Sequence, residues 1–62
     1  MSKAYAKVGI SGHIALDRKI PAASIRGFCK ELANGDKPLY QRLVGLCQVS
    51  RKLGCKEIYF TA

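Results

Sequence analysis

Between positions 4 and 16 the chain alternates. The even positions read Ala4, Ala6, Val8, Ile10, Gly12, Ile14 and Leu16, and the odd ones Tyr5, Lys7, Gly9, Ser11, His13 and Ala15. Successive side chains of a strand point to opposite faces, so this parity predicts a strand with one buried side. It runs unbroken through Ser11-Gly12, which favours one long strand bulged at a glycine. A two-residue turn at Ser11-Gly12 is the competing reading. It would pair Val8 with Ala15 and Lys7 with Leu16, mixing the two faces.

The period then changes. Ile25, Phe28, Cys29 and Leu32 follow the spacing of an amphipathic helix. Pro21 suits its first turn, where a missing N–H costs nothing, and Asn34-Gly35 supplies the stop. The helix is expected over residues 21–33. Asp36 then caps a second helix, with Pro38 tolerated in its first turn. Leu39, Leu43, Leu46 and Leu53 line its apolar face, flanked by Tyr40, Val44 and Cys47, and Gly54 ends it. Arg51 and Lys52 in the last turn complement the negative end of the helix dipole. The closing segment CKEIYF is rich in β-formers, with Ile58 and Phe60 on one face and Tyr59 on the other.

Short turns make the two helices an αα-hairpin that returns the chain to the end of the first strand. The expected class is α+β: a small β-α-α-β domain, its helical hairpin packed on a two-stranded antiparallel sheet. Such a sheet is thin and leaves its edges free, so a homodimer with a continuous four-stranded sheet is expected.

Composition bounds this picture. The 62 residues make one small basic domain, 1–62. A chain of that size buries only about 60% of its unfolded surface. No uninterrupted apolar run approaches a membrane span, and the start MSKAYAKVGI carries no apolar core of a secretory signal. The expectation is a cytoplasmic protein with no membrane partner. Cys29, Cys47 and Cys55 are an odd number without close pairing, which also fits a reducing compartment.

Charge points toward function. Eleven Lys and Arg stand against four acidic residues, a net charge of +7. A positive potential over so small a surface favours polyanions. Arg18 and Lys19 precede the first helix, while Arg26 and Lys30 share one of its faces. Lys37 and Arg42 decorate the second helix. Lys3 and Lys7, with Tyr5, share the outer parity of the first strand. If the helices cover one sheet face, Lys7, Tyr5 and His13 lie on the open face opposite, where an aromatic ring can stack on a base. Of these, Lys7 and Tyr5 are taken as contacts. These eight residues are the candidate nucleic-acid contacts, for DNA or RNA. Gly27 and Gly45 interrupt the outward sides of the helices, marking either close approach of a partner or loss tolerated by tertiary packing.

Catalytic and metal chemistry find little support. His13 lies on the polar parity with no nucleophile, base and orienting group at a recognisable spacing. The three cysteines and His13 lack a C-x₂₋₄-C knuckle, and Cys29 and Cys47 fall on apolar helix faces. NGDKPL lacks the arrangement of a phosphate loop. No enzyme, cofactor or metal is expected.

Two short motifs carry resemblances. The stretch from Gly12 to Asp36 resembles the swapped-hairpin transition-state regulators at Gly12, Ile14, Pro21, Ile25, Arg26 and Gly35-Asp36, which implies a dimeric DNA binder. It departs from them by the inserted Asp17-Arg18-Lys19 and by a helix after Asp36. LGCKEIYFTA resembles the helix-to-strand passage of acyl-CoA acetyltransferases, without their glycine-rich pyrophosphate turn, and implies no acyl transfer. The expected function is therefore a small non-enzymatic nucleic-acid-binding protein, a regulator acting through the surface around the first helix. The alternative is a protein-binding modulator, such as an accessory protein of a mobile element. It would dock through a sheet edge or the face of Leu39, Tyr40, Leu43 and Leu46.

Overall fold

The computed structural model describes residues 2–62. In it the chain runs β1 (Lys3–Lys7), β2 (Gly12–Ala15), α1 (Ala22–Ala33), α2 (Lys37–Lys52) and β3 (Glu57–Thr61). Two helices pack on one face of a small mixed sheet, which is an α+β arrangement. The sheet has three strands where two were expected, in the order β1-β3-β2. β3 runs antiparallel to β2, as the helical hairpin requires, and parallel to β1.

The long strand read over positions 4–16 is thus two strands, and the hairpin alternative fails as well, because β1 and β2 never pair. Gly9 explains the break. Its φ of +86° is open to glycine at little cost and turns the chain out of the β1 ladder. The N–H groups of Val8 and Gly9 both donate to the Thr61 carbonyl, at 2.9 and 3.2 Å. The backbone wraps the end of β3 there and returns along its other side. The alternation survives the detour: Ala4, Ala6, Val8, Ile10 and Gly12 are all partly buried, while Tyr5, Lys7, Gly9, Ser11 and His13 are exposed.

Both helices start and stop where local chemistry dictates. Pro21 is the extended residue before α1, and Asn34 and Gly35 close it with φ of 49° and 88°. Asp36 caps α2, its Oδ1 accepting the Leu39 N–H at 3.1 Å. After α2, the carbonyls of Val49, Ser50 and Arg51 are taken up by the N–H groups of Leu53, Cys55 and Gly54.

The core joins Ile14 and Leu16, Ile25, Cys29 and Ala33 of α1, Leu43 and Cys47 of α2, and Ile58 and Phe60 of β3. α1 comes so close to β2 that a Cβ on Gly12 would lie 2.8 Å from Leu32 Cδ2. Two expected core residues are not in it. Phe28 is 43% exposed, because it falls on the flank of α1 away from α2. Leu53 is 76% exposed at the end of α2, beyond the reach of the sheet. Leu43, expected on a docking face, is fully buried, and Leu39, Tyr40 and Leu46 pack against the core.

Gly27 and Gly45 have open space where a Cβ would sit. Neither carries the left-handed φ that favours glycine. Gly27→Ala and Gly45→Ala are each expected to stabilise the free domain by up to about 1 kcal/mol through helix propensity. Urea unfolding of the two variants checks this, and a loss of stability would mean that something occupies that space.

Cys29 and Cys47 meet in the core with their Sγ atoms 3.8 Å apart. Burial disfavours both thiolates, pushing the Cys47 thiol up to about 12 and raising Cys29 in the same direction. Cys55 is only partly buried. A thiol reagent under native conditions is therefore expected to modify Cys55 promptly, reaching the other two only through unfolding. Mass spectrometry of the labelled chain counts the adducts, and rapid triple labelling would contradict this packing.

Candidate nucleic-acid interface

Because the helices cover one side of the sheet, the other side is open. Strand register assembles its residues into rows. Tyr5 lies opposite Tyr59, and Tyr59 opposite His13, so three rings cross all three strands in one line. The Tyr5 and Tyr59 rings stack with centroids 5.4 Å apart and planes 18° apart. His13 lies 4.5 Å from Tyr59 on the other side, tilted by 35°. Tyr5, at an edge strand, is 70% exposed. Lys3 and Lys7 stand one row to either side of it, in register with Glu57 and Thr61.

Glu57 ties the row together. Its Oε1 accepts from His13 Nε2 at 2.8 Å and from the Tyr59 hydroxyl at 3.1 Å. Lys3 Nζ sits 3.9 Å from Oε2 and 5.7 Å from the centre of the Tyr59 ring. The His13 hydrogen bond is the main reason the Glu57 carboxyl titrates below its usual range; the Tyr59 hydroxyl and the Lys3 charge add to it, against a desolvation that works the other way. The Tyr59 hydroxyl's own hydrogen bond to Glu57 raises Tyr59, which therefore stays a neutral phenol. A carboxyl depressed by folding stabilises the domain above the ordinary carboxylate range. That contribution is lost as the pH falls through the lowered value.

Such a surface offers the exposed Tyr5 ring for stacking, backed by Tyr59, whose own faces are covered by Tyr5 and His13. It adds two ammonium groups for phosphates and one carboxylate that accepts hydrogen bonds. His13 and Tyr59 share one oxygen of this one carboxylate. Among the described residues no cluster of His, Cys, Asp and Glu is disposed to hold a metal.

The eight residues expected to contact nucleic acid fall on different surfaces. Tyr5 and Lys7 lie together on the open sheet face. Lys30 and Lys37 line a groove with Tyr40 where the two helices join. Arg26 borders the shallow cleft between α1 and α2. Arg42 is exposed on α2, and Arg18 and Lys19 lie in the turn after β2. Lys3, expected on the outer parity beside Tyr5 and Lys7, lies on the open face, and Tyr59 completes it without having been expected there. Tyr59 carried a signal, its parity opposite to Ile58 and Phe60, but only the register sets it between Tyr5 and His13. Arg51 lies in the last turn of α2, where it suits the helix dipole, and it also holds the corner at residues 17–20. Its Nη2 donates to the carbonyls of Ile20, Arg18 and Asp17 at 2.6, 3.2 and 3.4 Å.

No protein-family model, curated protein or solved structure is significantly similar to this chain. Among the described residues no helix is long and apolar enough to cross a membrane.

Proposed function

We propose that this domain binds single-stranded nucleic acid, without catalysis, on the open face of its sheet. The observation that carries this reading is the row Tyr5-Tyr59-His13 bracketed by Lys3 and Lys7. Unpaired bases stack on exposed aromatic rings with little regard for sequence, while lysines beside the rings meet the backbone phosphates. A duplex hides its base faces, so single strands bind more tightly than duplex of the same length. The remaining basic residues on the helices and turns add long-range attraction.

Fluorescence anisotropy with a labelled oligothymidylate at several salt concentrations tests the proposal. Each phosphate neutralised on a single strand contributes about 0.7 to the slope of log affinity against log salt. Lys3→Ala with Lys7→Ala is expected to reduce that slope by about 1.4. Affinity no tighter than about millimolar at low salt, a value ordinary for non-specific contacts, sinks the reading.

Docking on a larger protein is a second reading, supported by Val49 and Leu53, one turn apart on α2 and 59% and 76% exposed. Partners that survive nuclease treatment in a pull-down favour it. The homodimer proposal now rests on the free edges of β1 and β2, since a third strand removes the need for a second copy to complete a thin sheet. Molecular mass in solution decides that question.

A further inference from the structure

A cleft opens where β2 ends and β3 begins, beside the C-terminal end of α2. Three basic side chains line it, Arg18, Arg51 and Lys56, together with one acid, Asp17. The Asp17 Oδ1 already accepts the Lys19 N–H at 3.0 Å, so this carboxylate serves the turn it belongs to. Three like charges gathered at one concavity repel one another unless an anion joins them.

The cleft is built before any ligand arrives. Arg51 is fixed by its Nη2 bonds to the carbonyls of residues 17, 18 and 20, which also fix the turn carrying Arg18. Among the described residues its Nε and Nη1 make no hydrogen bond, so each keeps an N–H to donate singly, while both two-pronged edges of the guanidinium include the occupied Nη2. The negative end of α2 is blunted, because the carbonyls of Val49, Ser50 and Arg51 are already hydrogen-bonded. The Leu16 N–H bond to the Lys56 carbonyl at 2.8 Å sets the third cation relative to the turn.

We infer that this cleft binds a phosphate group. The Arg18 guanidinium can meet phosphate oxygens in pairs, Arg51 and Lys56 add charge on the same cleft, and a charge-dense tetrahedral anion gains most from several cations lining one concavity. The inference rests on the nucleic-acid reading only for the source of the phosphate, which in that reading is the 5′ end of a strand lying on the adjacent sheet.

The test uses the whole chain. Amide resonances are followed as inorganic phosphate replaces chloride at constant ionic strength. Saturable shifts are expected at Arg18, Gly54, Cys55 and Lys56, and are lost in Arg18→Ala/Lys56→Ala, whose two side chains are exposed. Absent shifts there, or equal shifts beside Lys3, Lys30 and Lys37, overturn the inference. A second arm compares oligothymidylates with a 5′-phosphate and a 5′-hydroxyl. A preference of roughly tenfold for the phosphate, erased by the double substitution, identifies the strand end as the source. A saturable cleft with equal strand affinities supports a free phosphate ester instead. Phosphate shifts that persist without strand binding uphold the cleft and refute the nucleic-acid reading.

Discussion

Leu43→Ala is expected to be the most destabilising single truncation in this domain. Leu43 has no solvent exposure and sits at the centre of α2, where it joins both helices to β3. Truncating a buried leucine costs about 2–5 kcal/mol, part transfer and part cavity. A domain of this length has a total stability of about 3–9 kcal/mol, so one substitution removes a large share of it and moves the unfolding midpoint far down. The control is Val49→Ala on the same helix, expected to change stability by no more than about 0.5 kcal/mol because the side chain is largely in water. Circular dichroism with urea titration separates the two. Equal midpoints for both variants would show that Leu43 does not occupy the core.

The largest functional effect is expected from the tyrosines. Removing one base–aromatic stack costs about 1–3 kcal/mol, so Tyr5→Ala should weaken single-strand binding by roughly 5- to 150-fold. Its ring is mostly exposed, and the fold should tolerate the change. Tyr59→Ala removes the ring that backs Tyr5 and a hydrogen bond to Glu57, and should weaken binding less than Tyr5→Ala does, because Tyr5 and His13 already cover its faces. Tyr5→Phe keeps the ring face and should bind nearly as the parent does. Anisotropy titrations of the three variants, each shown folded by circular dichroism, check the order. If the alanine variants bind as tightly as the parent, the bases do not stack on this face.

Local patterns made much of the architecture legible. The alternation over positions 4–16 identified the buried face correctly, since that face needs only a parity and the detour at Gly9 preserves parity. The helix ends followed from Pro21, Asn34-Gly35, Asp36 and Gly54, whose backbone preferences act within a few residues. What local patterns do not carry is pairing. The insertion of β3 between β1 and β2 is a choice among distant partners, and alternation reads the same whichever strand lies alongside. Phe28 satisfied the helical spacing, but the spacing does not say how far around the helix the core extends. The site suffered most from this gap. Tyr5 and Lys7 were visible by parity, whereas Tyr59 joins them through a register that spans most of the chain. Arg51 bonds to residues more than thirty positions away, and basic composition alone could not separate it from solvated lysines.

The place of β3 has a consequence for how the domain assembles. Both ladders of the sheet run through this one strand, and β1 and β2 have no contact ladder with each other. Until the segment after α2 arrives, neither early strand has a partner, whereas the helical hairpin depends only on neighbours. Sheet formation is therefore a single late event closed over long loops, entropically costly and slow for so small a chain. Before that event β1 and β2 travel as unpaired strands with open backbones, the stage at which this domain is most exposed to aggregation.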